Sequence, residues 1–125
     1  RIKGYGHEDT IFGIELKKAG FAIRNIDNPI EHSGLKNFEN FMASTETAVQ
    51  NMRAIMQNSE FSNSVGDIRL IKAYKKLGAF GLRGLYSRLF KITKPSVLSL
   101  LRSDNPNLRL LDLYKLGVFC ERDKA

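Results

Sequence analysis

The 125 residues predict a mainly α fold with one short β element, α+β overall. Three observations carry that expectation. Apolar residues recur at three- and four-residue steps over most of the chain, as one face of a helix requires. Residues that start and stop helices bracket those stretches. Only around residues 21–33 does the period shorten to two. With 42% hydrophobic and 26% charged residues, the chain reads as one ordinary globular domain or part of a larger one, long enough to bury a core.

Taken in order, the first helix runs from Glu8 to Ala19. It carries acidic residues and Thr10 at its start, Lys17 and Lys18 in its last turn, and Gly20 as its stop, an arrangement that complements the helix dipole at both ends. Phe21 and Ile23 then alternate with Ala22 and Arg24, and Asp27-Asn28-Pro29 supplies a turn, so a short strand pair is expected. Leu35, Phe38, Met42, Thr45, Val49, Met52 and Met56 line one face of a long amphipathic helix. After an N-cap at Asp67, Leu70, Ile71, Tyr74 and Leu77 form one arc, with Arg69, Lys72, Lys75 and Lys76 on another. From Phe80 to Thr93 an apolar arc of Leu82, Leu85, Tyr86, Leu89, Phe90 and Ile92 opposes Arg83, Arg88 and Lys91, and Pro95 is expected to end the helix. Asn105 and Pro106 open a last, leucine-rich helix reaching about Cys120. These helices predict a bundle-like body.

Charge is unevenly spread. Residues 1–60 hold seven Lys/Arg against eight Asp/Glu, whereas residues 61–125 hold thirteen against five, so the net +7 lies in the second half. A basic half-chain suits a solvated helix surface or an anionic partner such as phosphate, nucleic acid or membrane. One cysteine, Cys120, excludes an internal disulfide and a cysteine-based zinc site and suits a reducing compartment, so the expected location is cytoplasmic, with peripheral contact at the inner membrane face. No apolar run approaches the roughly 20 residues of a spanning helix. No 20–50-residue period recurs, as a repeat protein would show.

The chemistry-bearing stretch is GYGHEDT, residues 4–10, with only residues 1–3 ahead of it, which reads as a piece of a longer protein. Two adjacent carboxylates at a helix start serve as capping and dipole groups: Asp9 or Thr10 caps, and Glu8 favours the dipole. The residues before them suit a further role. Gly4 and Gly6 allow close backbone approach, and Tyr5 offers a flat face for a sugar ring. A carboxylate beside such a loop can hold a polar ligand and take a proton from it. Other site classes fail on spacing. His7-Glu8 begins like a zinc-protease HExxH, but the fifth position is Ile11. No phosphate-binding P-loop, dinucleotide fingerprint or nucleophile elbow occurs. His32, at the end of the extended stretch, reads as a hydrogen-bonded surface residue or as a ligand.

The order of glycines, aromatic, Glu-Asp pair, FGxELxxxG helix and DNPxxH ending across residues 2–34 resembles the carboxyl-terminal part of the catalytic domain of inverting family 2 glycosyltransferases of the GT-A fold. The resemblance implies that Asp9 is the general base that deprotonates the acceptor hydroxyl. Glu8 would position acceptor or base, and Gly4, Tyr5, Gly6 and His7 would line the acceptor side. His7 occupies a variable position, often glycine in the family. His32 would join Asp-x-Asp carboxylates around a divalent cation, Mg or Mn, that neutralises the departing diphosphate. No Asp-x-Asp occurs in the 125 residues, so the Rossmann-like, nucleotide-binding half is expected elsewhere and this segment alone is expected to be inactive.

Residues 1–34 therefore read as the end of a catalytic domain and residues 35–125 as a helical extension. The implied partners are a nucleotide-sugar donor and a saccharide or lipid-linked acceptor, in polysaccharide or glycan biosynthesis. The basic amphipathic pair at residues 68–92 suits an anionic membrane. A helical homodimer is the alternative for the apolar arcs. A nucleic-acid module is suggested by the isoelectric point of about 9.7, but there is no recognised binding motif, nor aromatics interleaved with the basic arcs.

Overall fold

The computed structural model describes residues 7–24, 26–29, 34, 37–58, 65–66 and 68–121. Five helices follow one another: α1 (Glu8–Lys18), α2 (Phe38–Gln57), α3 (Arg69–Ala79), α4 (Arg83–Leu101) and α5 (Leu108–Glu121). α5 is the hub. It packs most extensively along α4, and α2 and α3 also lie against it. Tyr114, Phe119, Met52, Ile71 and Val65 are the largest fully buried apolar side chains, drawn from α2, α3, α5 and the turn before α3. Tyr74 meets Phe119 edge-on with ring centroids 4.7 Å apart, and Phe90 meets Tyr114 at 5.4 Å, geometries that aromatic quadrupoles favour.

The first of the two expected strands is not formed: residues 21–24 and 26–29 run without regular structure and no strand occurs among the described residues, while its expected partner at Ile30 to His32 lies outside them. The physical reason lies in burial. Alternation builds a strand only when one face has something to cover, yet Phe21, Ile23 and Ile26 are 64%, 48% and 76% exposed, and an isolated two-stranded ribbon is marginal in water. Among the described residues the fold is thus all-helical rather than α+β.

Helix ends follow local chemistry closely. Gly20 takes φ +82 after α1, its N–H reaches Lys17 O at 3.1 Å, and Phe21 N reaches Leu16 O at 3.0 Å, the paired bonds of a Schellman stop. Gly81, at φ +67, repeats the motif after α3, with Leu82 N on Leu77 O at 2.9 Å. Asn37 caps α2 by accepting from Asn40 N at 2.8 Å. Two starts differ from expectation. Ile68, without a side-chain cap bond, precedes α3, and Asp67 lies outside the described residues. α5 begins after Asn107, whose Oδ1 accepts from Arg109 N at 2.9 Å, rather than at Asn105-Pro106.

Pro95 does not end α4, which continues to Leu101. An interior proline removes one helical hydrogen bond and costs about 3 kcal/mol. Pro95 and Lys91, whose carbonyl would have met the missing N–H, are both exposed, so water can satisfy that carbonyl. Phe90, Val97, Leu98 and Leu101, on both sides of the proline, pack into the core, and that shared burial holds the helix in one piece.

Where α2, α4 and α5 meet, a polar cluster closes the core. Glu46 accepts from the Tyr114 hydroxyl and from Lys94 Nζ at 3.3 Å, while Lys94 also pairs with Glu121 at 3.8 Å. Burial first, then the hydrogen bond to Glu46 and the neighbouring carboxylates, hold the Tyr114 phenol above its ordinary ionisation range; burial, then Cys120, does the same for Tyr86. The unfolded chain releases a tyrosine proton near pH about 10, and the folded chain keeps it. Stability from this source is therefore complete below that pH and declines as pH rises beyond it. Melting temperature measured upward from pH about 9 should fall more steeply in the parent than in Tyr114→Phe. Parallel slopes would exclude Tyr114 as a source of the decline.

Candidate functional site

The start of α1 is built on an unusual turn. His7 holds φ 71, a left-handed state that histidine tolerates better than most residues. It is the N-cap residue, and its carbonyl accepts from Ile11 N at 3.0 Å. Its side chain makes no cap bond; instead Nδ1 lies 3.4 Å from Thr10 Oγ1. Glu8 is the first residue of the helix. Asp9 follows with its side chain exposed, and its Oδ1 accepts from Thr10 N at 2.8 Å. That N–H is one of the four at a helix start that lack an intrahelical partner. Neither Asp9 nor Thr10 is the N-cap, yet Asp9 satisfies an orphan donor and places its negative charge at the positive end of the helix dipole.

A shallow groove of ≈ 250 Å³ opens beside this turn, lined by Asp9, Thr10, Gly13, Ile14, Lys17, Ile23 and Ile68. Thr10, Gly13, Ile14 and Lys17 share one face of α1, since they stand at steps of three, one and three. Gly13 keeps the groove floor low: a methyl there would only touch Ile23 Cδ1, at 4.0 Å. A carboxylate, a hydroxyl and an ammonium in one groove with three isoleucines can receive a polyol with one polar edge and one apolar face.

Of the residues expected to act, Asp9 and His7 come together at this turn and Asp9 reaches the groove. Gly4, Tyr5, Gly6 and His32 lie outside the described residues. Among those described, no three His, Cys, Asp or Glu side chains gather where a metal ion could be held. Sequence reasoning did not pick Thr10 and Lys17 as groove residues, although their spacing from Gly13 on a helix face was a usable signal. Ile68 had none, because it arrives from a distant part of the chain. No helix among the described residues is long and apolar enough to cross a membrane.

Comparisons with protein-family models, with curated proteins and with solved structures returned no match.

Proposed function

We propose that this chain is the acceptor-side segment of an inverting glycosyltransferase, with Asp9 as the base. The observation that carries the reading is the position of Asp9: an exposed carboxylate in the first turn of α1, on the wall of an open groove that also presents Thr10 and Lys17. Displacement at an anomeric carbon needs a carboxylate beside the incoming hydroxyl, on the face opposite the leaving diphosphate. Asp9 takes that proton, and Glu8 sits next to it in the chain to orient acceptor or base. The positive φ at His7 is a backbone state that glycine adopts freely, in keeping with the glycine that often holds this place in the family. Tyr5, between Gly4 and Gly6, stacks on the sugar in this reading. His32 and a divalent cation, Mg or Mn, belong to the donor side with the nucleotide-binding half, and no step here is routed through them. The acceptor is a saccharide or a lipid-linked saccharide.

The reading makes a direct demand on the complete gene product. Its coding sequence upstream of Arg1 should contain an Asp-x-Asp motif, and the purified protein should release nucleoside diphosphate from a nucleotide-sugar when acceptor is supplied. A complete product without that motif and without such release would overturn the reading.

A further inference from the structure

Helix α4 turns an apolar stripe outward. Leu85, Leu89 and Ile92 are 55%, 53% and 77% exposed, and their steps of four and three place them on one line of the helix. The sequence pattern had put these residues on the packing arc, but Ser87, Phe90 and Leu101 are the buried residues of α4. In the turn before the helix, Phe80 is also exposed, at 67%. On one side the stripe runs into an apolar groove of ≈ 220 Å³ between α4 and α5. Residues 68–103 contain nine Lys/Arg and no Asp or Glu; Lys94 and Arg102 among them pair with carboxylates of α2 and α5, and Arg88 and Lys91 are the exposed cations beside the stripe.

We propose that this face of α4, with exposed Arg88 and Lys91 beside it, docks on an anionic lipid bilayer. The helix lies in the plane of the membrane, its leucines and isoleucine entering the acyl boundary, and Arg88 and Lys91 remaining among the headgroup phosphates. Charge complementarity selects this occupant. A second copy packed on the same face by two-fold symmetry would bring the basic rims towards each other. A nucleic-acid backbone would gain nothing from burying aliphatic side chains, and no aromatic row stands there for bases to stack on. The inference stands apart from the glycosyltransferase reading, because vesicle binding requires no sugar transfer and the two can fail separately.

The test is co-sedimentation of the full 125-residue chain with extruded vesicles of phosphatidylcholine alone or with about 30 mol% phosphatidylglycerol. Binding should be at least ~10-fold stronger on the anionic vesicles and should weaken as salt rises to about 0.5 M. Arg88→Glu with Lys91→Glu should weaken anionic binding at least ~10-fold, and so should Leu85→Glu with Ile92→Glu, without loss of helical circular dichroism. Equal binding to both vesicles, no binding to either, or insensitivity to the Leu85 and Ile92 changes would overturn the proposal. So would a dimer in light scattering that the stripe substitutions dissolve, since the face would then belong to a second copy.

Discussion

Asp9→Asn, introduced into the complete gene product, is expected on the proposed glycosyltransferase reading to lower the turnover of sugar transfer by about 10²–10⁴-fold while leaving donor KM near that of the parent. Asparagine has the size of aspartate and keeps an acceptor oxygen for Thr10 N, now bonded to Asp9 Oδ1 at 2.8 Å, so the start of α1 persists. On the proposed reading, what disappears is the basic lone pair that would take the acceptor proton. Because the side chain is exposed, the change in stability should stay within about 0.5 kcal/mol. A loss of activity together with a matching loss of stability would point to a structural role. Unchanged turnover would remove Asp9 as the base. Asp9→Glu keeps the charge but displaces it along the groove, and intermediate turnover is expected, since misplacement of a reacting group by about 1 Å costs on the order of 10²-fold.

The second large effect is expected at Gly117, far from the groove. α5 approaches α4 so closely there that a Cβ on Gly117 would lie 2.3 Å from Cδ2 and Cγ of Phe90, far inside van der Waals contact. Phe90 is 5% exposed and is held edge-on by Tyr114, so its ring can yield only by giving up that packing and turning into the groove between α4 and α5 that it lines. Gly117→Val forces either a strained α4–α5 contact, at about 1–3 kcal/mol or more, or expulsion of the ring, which forfeits a burial worth about 3–5 kcal/mol. A fall in melting temperature of about 10 °C or more should follow. Phe90→Ala should relieve part of the loss, giving a favourable coupling of about 1 kcal/mol or more in a double-mutant cycle. Stability within about 0.5 kcal/mol of the parent would contradict the close approach of these helices.

What could be read from the sequence was what local chemistry decides. The left-handed stop at Gly20 and the basic arc of α3 needed no knowledge of the rest of the chain, and neither did the periodic buried face of α2. Pro95 shows where that reasoning fails: its local cost is real, but the residues on both sides of it share one surface of α5, and burial outweighs a lost hydrogen bond. Leu85, Leu89 and Ile92 show the same failure from the other side. A leucine at helical spacing records a preference for burial, and only the rotation of α4 on α5 decides which leucines obtain it. The strand at residues 21–24 was misread because alternation there carries no information about whether a covering surface exists. At the candidate site, the helix from Glu8 and its acidic start were legible from the dipole argument, whereas the N-cap is His7 rather than Asp9 or Thr10. Ile68 became a groove wall only through the fold, which sets it beside Gly13 and Lys17 of α1.

The account stands on Asp9 acting from the face opposite the leaving group in a single displacement. The anomeric configuration of the transfer product formed with the complete gene product, read from the proton NMR coupling at the anomeric carbon, tests this most directly. From an α-linked nucleotide-sugar of the gluco or galacto series, the account predicts a β-linked product. An α-linked product, or no transfer to any saccharide acceptor, would contradict it.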